Sequence, residues 1–90
     1  MGRFGYKGIE TALNGLTLWI ENNTTLVGSA GKRHEQCCKI IIEYGKANIP
    51  GYKKKGHLAT SANYVAKKIE WNKKFQHFTE WVLKNQNNDQ

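Results

Sequence analysis

The chain has 90 residues, 39% of them apolar and 23% charged, with a single proline. It contains no apolar run near the roughly 20 residues a membrane span needs, and a domain of this size buries only about 60 to 65% of the surface its unfolded chain exposes, so multidomain, membrane-spanning and large-cleft readings fall away. Fourteen Lys and Arg against seven Asp and Glu give +7, a balance that points to a polyanionic or acidic partner rather than to a reaction.

One domain over residues 1–90 is therefore expected, with residues 1–6 and 86–90 frayed. Residues 1–8 mix glycine, aromatic and basic side chains and lack the apolar segment and small-residue cleavage site of a secretory signal, which predicts a cytoplasmic setting.

Ile9, Leu13, Leu16 and Ile20 recur at spacings of four, three and four, with Ala12 and Trp19 alongside. That is one apolar stripe at the helical period, and it predicts a first helix over residues 7–21. Gly15 inside it costs roughly 1 kcal/mol relative to Ala. Leu16, Leu18 and Ile20 also alternate before Asn22-Asn23, so a short β-hairpin near residues 16–28 competes. Asn22 and Asn23 each open an Asn-x-Thr sequon, but Asn-Asn-Thr-Thr reads more simply as a turn.

Residues 22–31 form a polar, glycine-containing loop around Leu26 and Val27, with Ser29 as a cap for the next element. A second helix follows over residues 32–45. Its stripe is Cys37, Ile40, Ile41 and Tyr44, and Gly45 offers a left-handed stop. The β-branched run Ile40 to Ile42 suits a buried strand as well, but Arg33, Glu35, Gln36 and Lys39 favour the longer helix. Cys37 and Cys38 are adjacent, where a bridge would be strained, so they read as reduced thiols packed as small hydrophobes.

Pro50 and Gly51 occupy the two central positions that a type II turn prefers, and Lys53, Lys54, Lys55 and Gly56 extend the exposed connection. A long helical pattern then starts at Thr60 or Ser61, capped by the hydroxyl, and continues to about residue 84. Its apolar positions do not form one stripe. Ala62, Val65, Ala66 and Ile69 share a face, whereas Tyr64, Trp71, Phe75, Phe78 and Val82 lie on another, about 120° away at 100° per residue. Either the chain breaks near Asn72 into two helices, or one long helix buries two faces against two partners. The second set, with its four-three spacing, could form a bundle core or the seam of a homodimer; core burial is favoured because so small a domain needs its aromatics inside. The fold class is mostly α, a small three- or four-helix bundle.

The charge is unevenly spread. Residues 1–45 carry five basic and four acidic side chains, residues 46–90 nine and three. Between Lys46 and Lys74 eight lysines face Glu70 alone: Lys46, Lys53, Lys54, Lys55, Lys67, Lys68, Lys73 and Lys74. Ammonium groups beside a helix N-terminus attract phosphates. Lys67 and Lys74, seven apart, are expected on one helical face with Trp71 between them, where an exposed indole could stack on a base. The same lysines could equally be a solvated, solubilising face. Lysine meets phosphate as a point charge and seldom reads base edges, so binding of this kind would be weakly sequence-selective.

Other chemistry is poorly represented. His34, Cys37 and Cys38 fall within one turn, but the second ligand pair of a zinc site is missing, so no metal or cofactor is expected. The cysteines lie on the apolar stripe, the seven carboxylates are scattered, His77 reads as a surface or half-buried residue, and no glycine pattern cradles phosphate. No enzymatic activity is expected.

His34-Glu35-Gln36-Cys37, Glu43-Tyr44-Gly45, Gly51-Tyr52-Lys53-Lys54 and Ser61-Ala62-Asn63-Tyr64-Val65, running into a lysine-rich helix, resemble in their order the DNA-binding part of phage small terminase subunits. The resemblance covers residues 32–81 and implies a helical, viral DNA-binding domain. Only residues 46–50 separate the first tyrosine motif from Gly51-Tyr52 here, where that family has a longer helix-turn-helix, and no residue role is carried over.

Two functions are expected on these grounds. One is a non-enzymatic nucleic-acid-binding protein that holds phosphates with Lys53, Lys54, Lys55, Lys67, Lys68, Lys73 and Lys74 and stacks on Tyr52 or Trp71. The other is a small inhibitor or adaptor, of phage or mobile-element type, that docks aromatic anchors on an acidic surface of a larger nucleic-acid-handling protein.

Overall fold

A computed structural model describes residues 3–53, 56–71 and 73–86. Four helices follow one another: α1 (Arg3–Asn23), α2 (Ala30–Asn48), α3 (Leu58–Trp71) and α4 (Phe75–Gln86). No strand occurs among the described residues, so the hairpin at residues 16–28 is not formed. The stripe of α1 decides this: Ala12, Leu16 and Ile20 are buried and Leu13 and Trp19 half-buried, while Leu18, the residue a hairpin would turn inward with its neighbours, is 59% exposed.

α1 begins four residues before the expected start and runs two past the expected end. Its end is capped by side chains: Asn23 Nδ2 donates to the Trp19 carbonyl at 2.8 Å, and the Thr24 hydroxyl and N–H both donate to the Ile20 carbonyl. The Asn-Asn-Thr signal thus stops the helix by satisfying its last carbonyls. The loop that follows is tied to the next helix from both sides. Arg33 Nη1 donates to the Gly28 carbonyl at 2.7 Å and Gln36 Nε2 to that of Val27 at 2.6 Å, with Gly28 at a φ of 102°. Ser29 occupies the N-cap position of α2, but its hydroxyl makes no capping hydrogen bond; its carbonyl accepts the first helical N–H, from Arg33.

α2 is the central element. The predicted Cys37, Ile40, Ile41 and Tyr44 are buried, and so are Cys38, Ile42 and Gly45, because α1, α3 and α4 all pack against this helix and leave it more than one inner face. Gly45 is not a stop. It lies inside the helix, and a Cβ there would come within 2.6 Å of Val65 Cγ2, so its missing side chain lets α2 and α3 approach closely. The helix ends instead at Asn48, one residue before Ile49, whose extended backbone (φ −110°, ψ 109°) is what a following proline enforces.

The Pro50-Gly51 turn forms as predicted: Gly51 has a φ of 77° and the Tyr52 N–H donates to the Ile49 carbonyl at 3.1 Å. α3 starts at Leu58, earlier than the Thr60 or Ser61 cap. Leu58 lies four residues before Ala62 and extends the buried face of Ala62, Val65, Ala66 and Ile69, while the Ser61 N–H donates to the His57 carbonyl, making His57 the residue that opens the helix.

Of the two alternatives for the C-terminal region, the break is realised. Lys73 adopts a φ of 54°, its N–H donates to the Glu70 carbonyl at 3.2 Å, and the Lys74 N–H reaches back to that of Ile69 at 2.9 Å. This pairing is a Schellman stop, here with lysine where glycine is usual. The Lys74 carbonyl then accepts the Phe78 N–H, so one residue ends one helix and the next opens another. The expected aromatic seam is divided by this corner. Phe78 and Val82 are wholly buried, Tyr64 and Phe75 are about half exposed on different helices, and the Trp71 side chain lies outside the described residues. The described members of the set therefore do not share one exposed stripe. Phe78 instead closes the core from α4, packing edge-on against Trp19 and Tyr44, while the Tyr44 hydroxyl and His77 Nδ1 share a hydrogen bond of 2.7 Å.

Candidate nucleic-acid interface

The side of the bundle where the 49–52 turn meets α3 carries two adjoining clefts. The first, of about 600 Å³, is lined by Gly51, Tyr52, Lys53, Thr60, Ser61 and Tyr64. The second, of about 180 Å³, lies between the end of α2 and the α3–α4 corner and is lined by Tyr44, Asn48, Ile49, Pro50, Lys68, Ile69 and Lys74. Gly51 lines the first and its chain neighbour Pro50 the second. Tyr52 and Tyr64 stack with ring centroids 5.8 Å apart and planes 13° from parallel, and Lys68 Nζ sits 5.5 Å from the Tyr64 ring centre. Lys53, Tyr52, Tyr64, Lys68 and Lys74 therefore make one continuous cationic and aromatic ridge.

No described carboxylate lines either cleft. The two ion pairs joining described residues lie on α2, Lys39 with Glu35 and Lys46 with Glu43, both at 3.6 Å, so Lys46 is drawn away from the cluster its sequence position suggested. α3 and α4 each begin without an acidic residue in the first turn. The positive end of α3 lies at the first cleft and that of α4 at the second, where the negative ends of α2 and α3 also lie, so the positive field of the ridge comes from its lysines.

The remaining predicted lysines are placed elsewhere. Lys67 is half-buried, and it lies one turn beyond Asn63, which lines a cleft against α1 with Leu13, Asn14, Ala59 and Thr60. Lys73 opens onto a further, largely apolar groove with Ala12, Gly15, Leu16, Ala66, Ile69, Glu70 and Phe75. The expected face shared by Lys67 and Lys74 does not exist, because the left-handed turn at Lys73 takes Lys74 off the helix that carries Lys67; Lys74 joins Lys68 instead. Lys54, Lys55 and the Trp71 side chain lie outside the described residues. Sequence reasoning missed Tyr64 as part of the site by assigning it to the core; its place four residues before Lys68 was the available signal.

The thiols are suited to packing. Burial, then Glu21 and Cys38, push the Cys37 thiol from 9.0 up to about 11, and its S–H donates to the Thr17 carbonyl at 3.6 Å. Burial, then Glu35, raise Cys38 as well, whose Sγ lies 3.8 Å from His34 Nδ1. Thiols held protonated in this way are weak nucleophiles and weak metal ligands. Among the described residues no helix is long and apolar enough to cross a membrane.

No protein-family model, curated protein or solved structure matches the chain, and the likeness to phage small terminase subunits gains no support from these comparisons.

Proposed function

We propose that the chain is a non-enzymatic nucleic-acid-binding protein that holds phosphates along the ridge of Lys53, Lys68 and Lys74, with Lys54 and Lys55 of the same connection adding to the field. The observation that carries this reading is the pair of adjoining clefts that hold three lysines and no described carboxylate. Lys67 and Lys73, on the other flank of α3, contribute at longer range, where salt screens them more effectively. Because the cations are lysines, the contacts position the ligand without selecting its sequence. Gel shifts at low salt test the reading: binding to DNA or RNA that weakens steeply with added salt is expected, and its absence on duplex and single strands alike removes the proposal.

The second reading is a small inhibitor or adaptor, of viral type, for an acidic protein surface. The groove edged by Lys73 and by Phe75, which is 44% exposed, favours it through its apolar walls, with Lys73 and Glu70 both at the rim. A partner complex that survives nuclease and is lost on Phe75→Ala would identify this function; one that dissolves with nuclease treatment would exclude it.

A further inference from the structure

We infer that the larger cleft, between the Pro50-Gly51 turn and the first turns of α3, is a seat for one unpaired nucleotide, so that the chain prefers single strands to continuous duplex. The inference deepens the nucleic-acid reading above and rests on it.

Its volume of about 600 Å³ falls within the roughly 300–1,000 Å³ of clefts that enclose small ligands. A protein that only tracked a duplex backbone would need charge on a convex face and no such recess, since paired bases are stacked inside the helix and present no open π face. The wall here is aromatic: Tyr64 is 49% exposed and stacks on Tyr52, and Lys68 Nζ overlies the Tyr64 ring at 5.5 Å, so a base that extends the stack takes the place of the ammonium, which moves to its phosphate. Lys53 and the exposed Thr60 line the same cleft and supply a cation and a hydroxyl to the flanking phosphates, with Lys68 next to the Tyr64 ring as a second cation.

The seat is also rigid before any ligand arrives. The Ile49 carbonyl holds the Tyr52 N–H at 3.1 Å, and Tyr52 Cδ2 lies 3.4 Å from the point where a Gly45 Cβ would stand, beside the close approach of Val65. Tyr52 is thus lodged beside a close approach of α2 and α3, and Tyr64 stacks on its ring. Stacking of this kind tolerates every base, which agrees with a lysine-based phosphate contact that reads none.

The test compares labelled oligothymidylate with a duplex of the same length by fluorescence anisotropy at low salt, with poly-glutamate as competitor. The single strand is expected to bind about tenfold more tightly, the size of one stacked base. Tyr64→Ala should abolish that preference while leaving the slope of affinity against salt in place, and Tyr64→Phe, which restores the π face, should recover it. Equal affinity of the unmodified protein for both ligands overturns the inference without recourse to any variant, as does an unchanged preference in folded Tyr64→Ala. If both forms bind equally with a lysine-dependent salt slope, the nucleotide seat falls and the phosphate reading stands. If neither binds, or poly-glutamate displaces the strand as well as unlabelled strand does, both fall.

Discussion

Replacing Gly45 by alanine sets two well-characterised effects against each other. Alanine in place of a mid-helix glycine ordinarily stabilises by about 1 kcal/mol. At this position the new Cβ would stand 2.6 Å from Val65 Cγ2, 3.3 Å from its Cγ1 and 3.4 Å from Tyr52 Cδ2. Carbon atoms prefer separations of about 3.5–4.0 Å, so the closest pair is roughly 1 Å too near. Val65 cannot yield cheaply, being wholly buried and β-branched in a helix, where one rotamer dominates. Relief requires α2 and α3 to separate, at the roughly 1–3 kcal/mol typical of overpacking. Gly45→Ala is therefore expected to be net destabilising by about 1 kcal/mol, a fall in Tm of roughly 4–8 °C for a domain of this size. Gly15→Ala, with nothing within 4 Å, should stabilise by up to about 1 kcal/mol. Urea unfolding followed by circular dichroism reads both. In a Val65→Ala background the sign at Gly45 should reverse, the coupling expected of two side chains that compete for one space. A Gly45→Ala protein as stable as Gly15→Ala would refute the close approach of α2 and α3 on which the placement of Tyr52 depends.

The same unfolding assay checks three further expectations. Tyr44→Phe loses the 2.7 Å hydrogen bond to His77 and should cost about 1 kcal/mol, whereas Tyr52→Phe removes an enclosed hydroxyl that has no hydrogen-bond partner and should be neutral or stabilising; equal costs would contradict this difference. Lys73→Gly relieves a left-handed backbone and should stabilise by about 1 kcal/mol, a gain that vanishes if the α3–α4 corner is not a Schellman stop. The Cys37 thiol is raised in the folded state, so its contribution is complete below about pH 9 and is lost as pH rises through about 11. The stability advantage of the natural chain over Cys37→Ala should therefore shrink between those values, and an advantage that is flat or grows with pH would show that the thiol is not preferentially protonated when folded.

What was legible in the sequence was periodic. The stripe of α1, the buried Ala62, Val65, Ala66 and Ile69, and the Pro50-Gly51 turn each follow from local spacing or local backbone preference. Gly45 was misread because a glycine near a helix end has two uses, a left-handed stop and a close approach. Only the position of Val65 on another helix separates them. The start of α3 at Leu58 was visible in the four-residue step to Ala62, but the hydroxyls at Thr60 and Ser61 gave a stronger cap signal at the wrong place. The candidate site was half legible: the excess of lysine in residues 46–74 was plain. The grouping of Lys74 with Lys68 rather than with Lys67 depends on a lysine, Lys73, adopting the left-handed conformation that composition would assign to glycine.

Charge reversal by face distinguishes a localised ridge from a merely basic protein. Lys53→Glu/Lys68→Glu/Lys74→Glu and Lys32→Glu/Lys39→Glu/Lys84→Glu change the net charge by the same amount, but only the first set lies along the clefts. Titrating oligothymidylate binding against salt for both proteins, a ridge that holds phosphates predicts a slope shallower by about two for the first triple variant and little change for the second. Equal loss in both, or loss in neither, would contradict it.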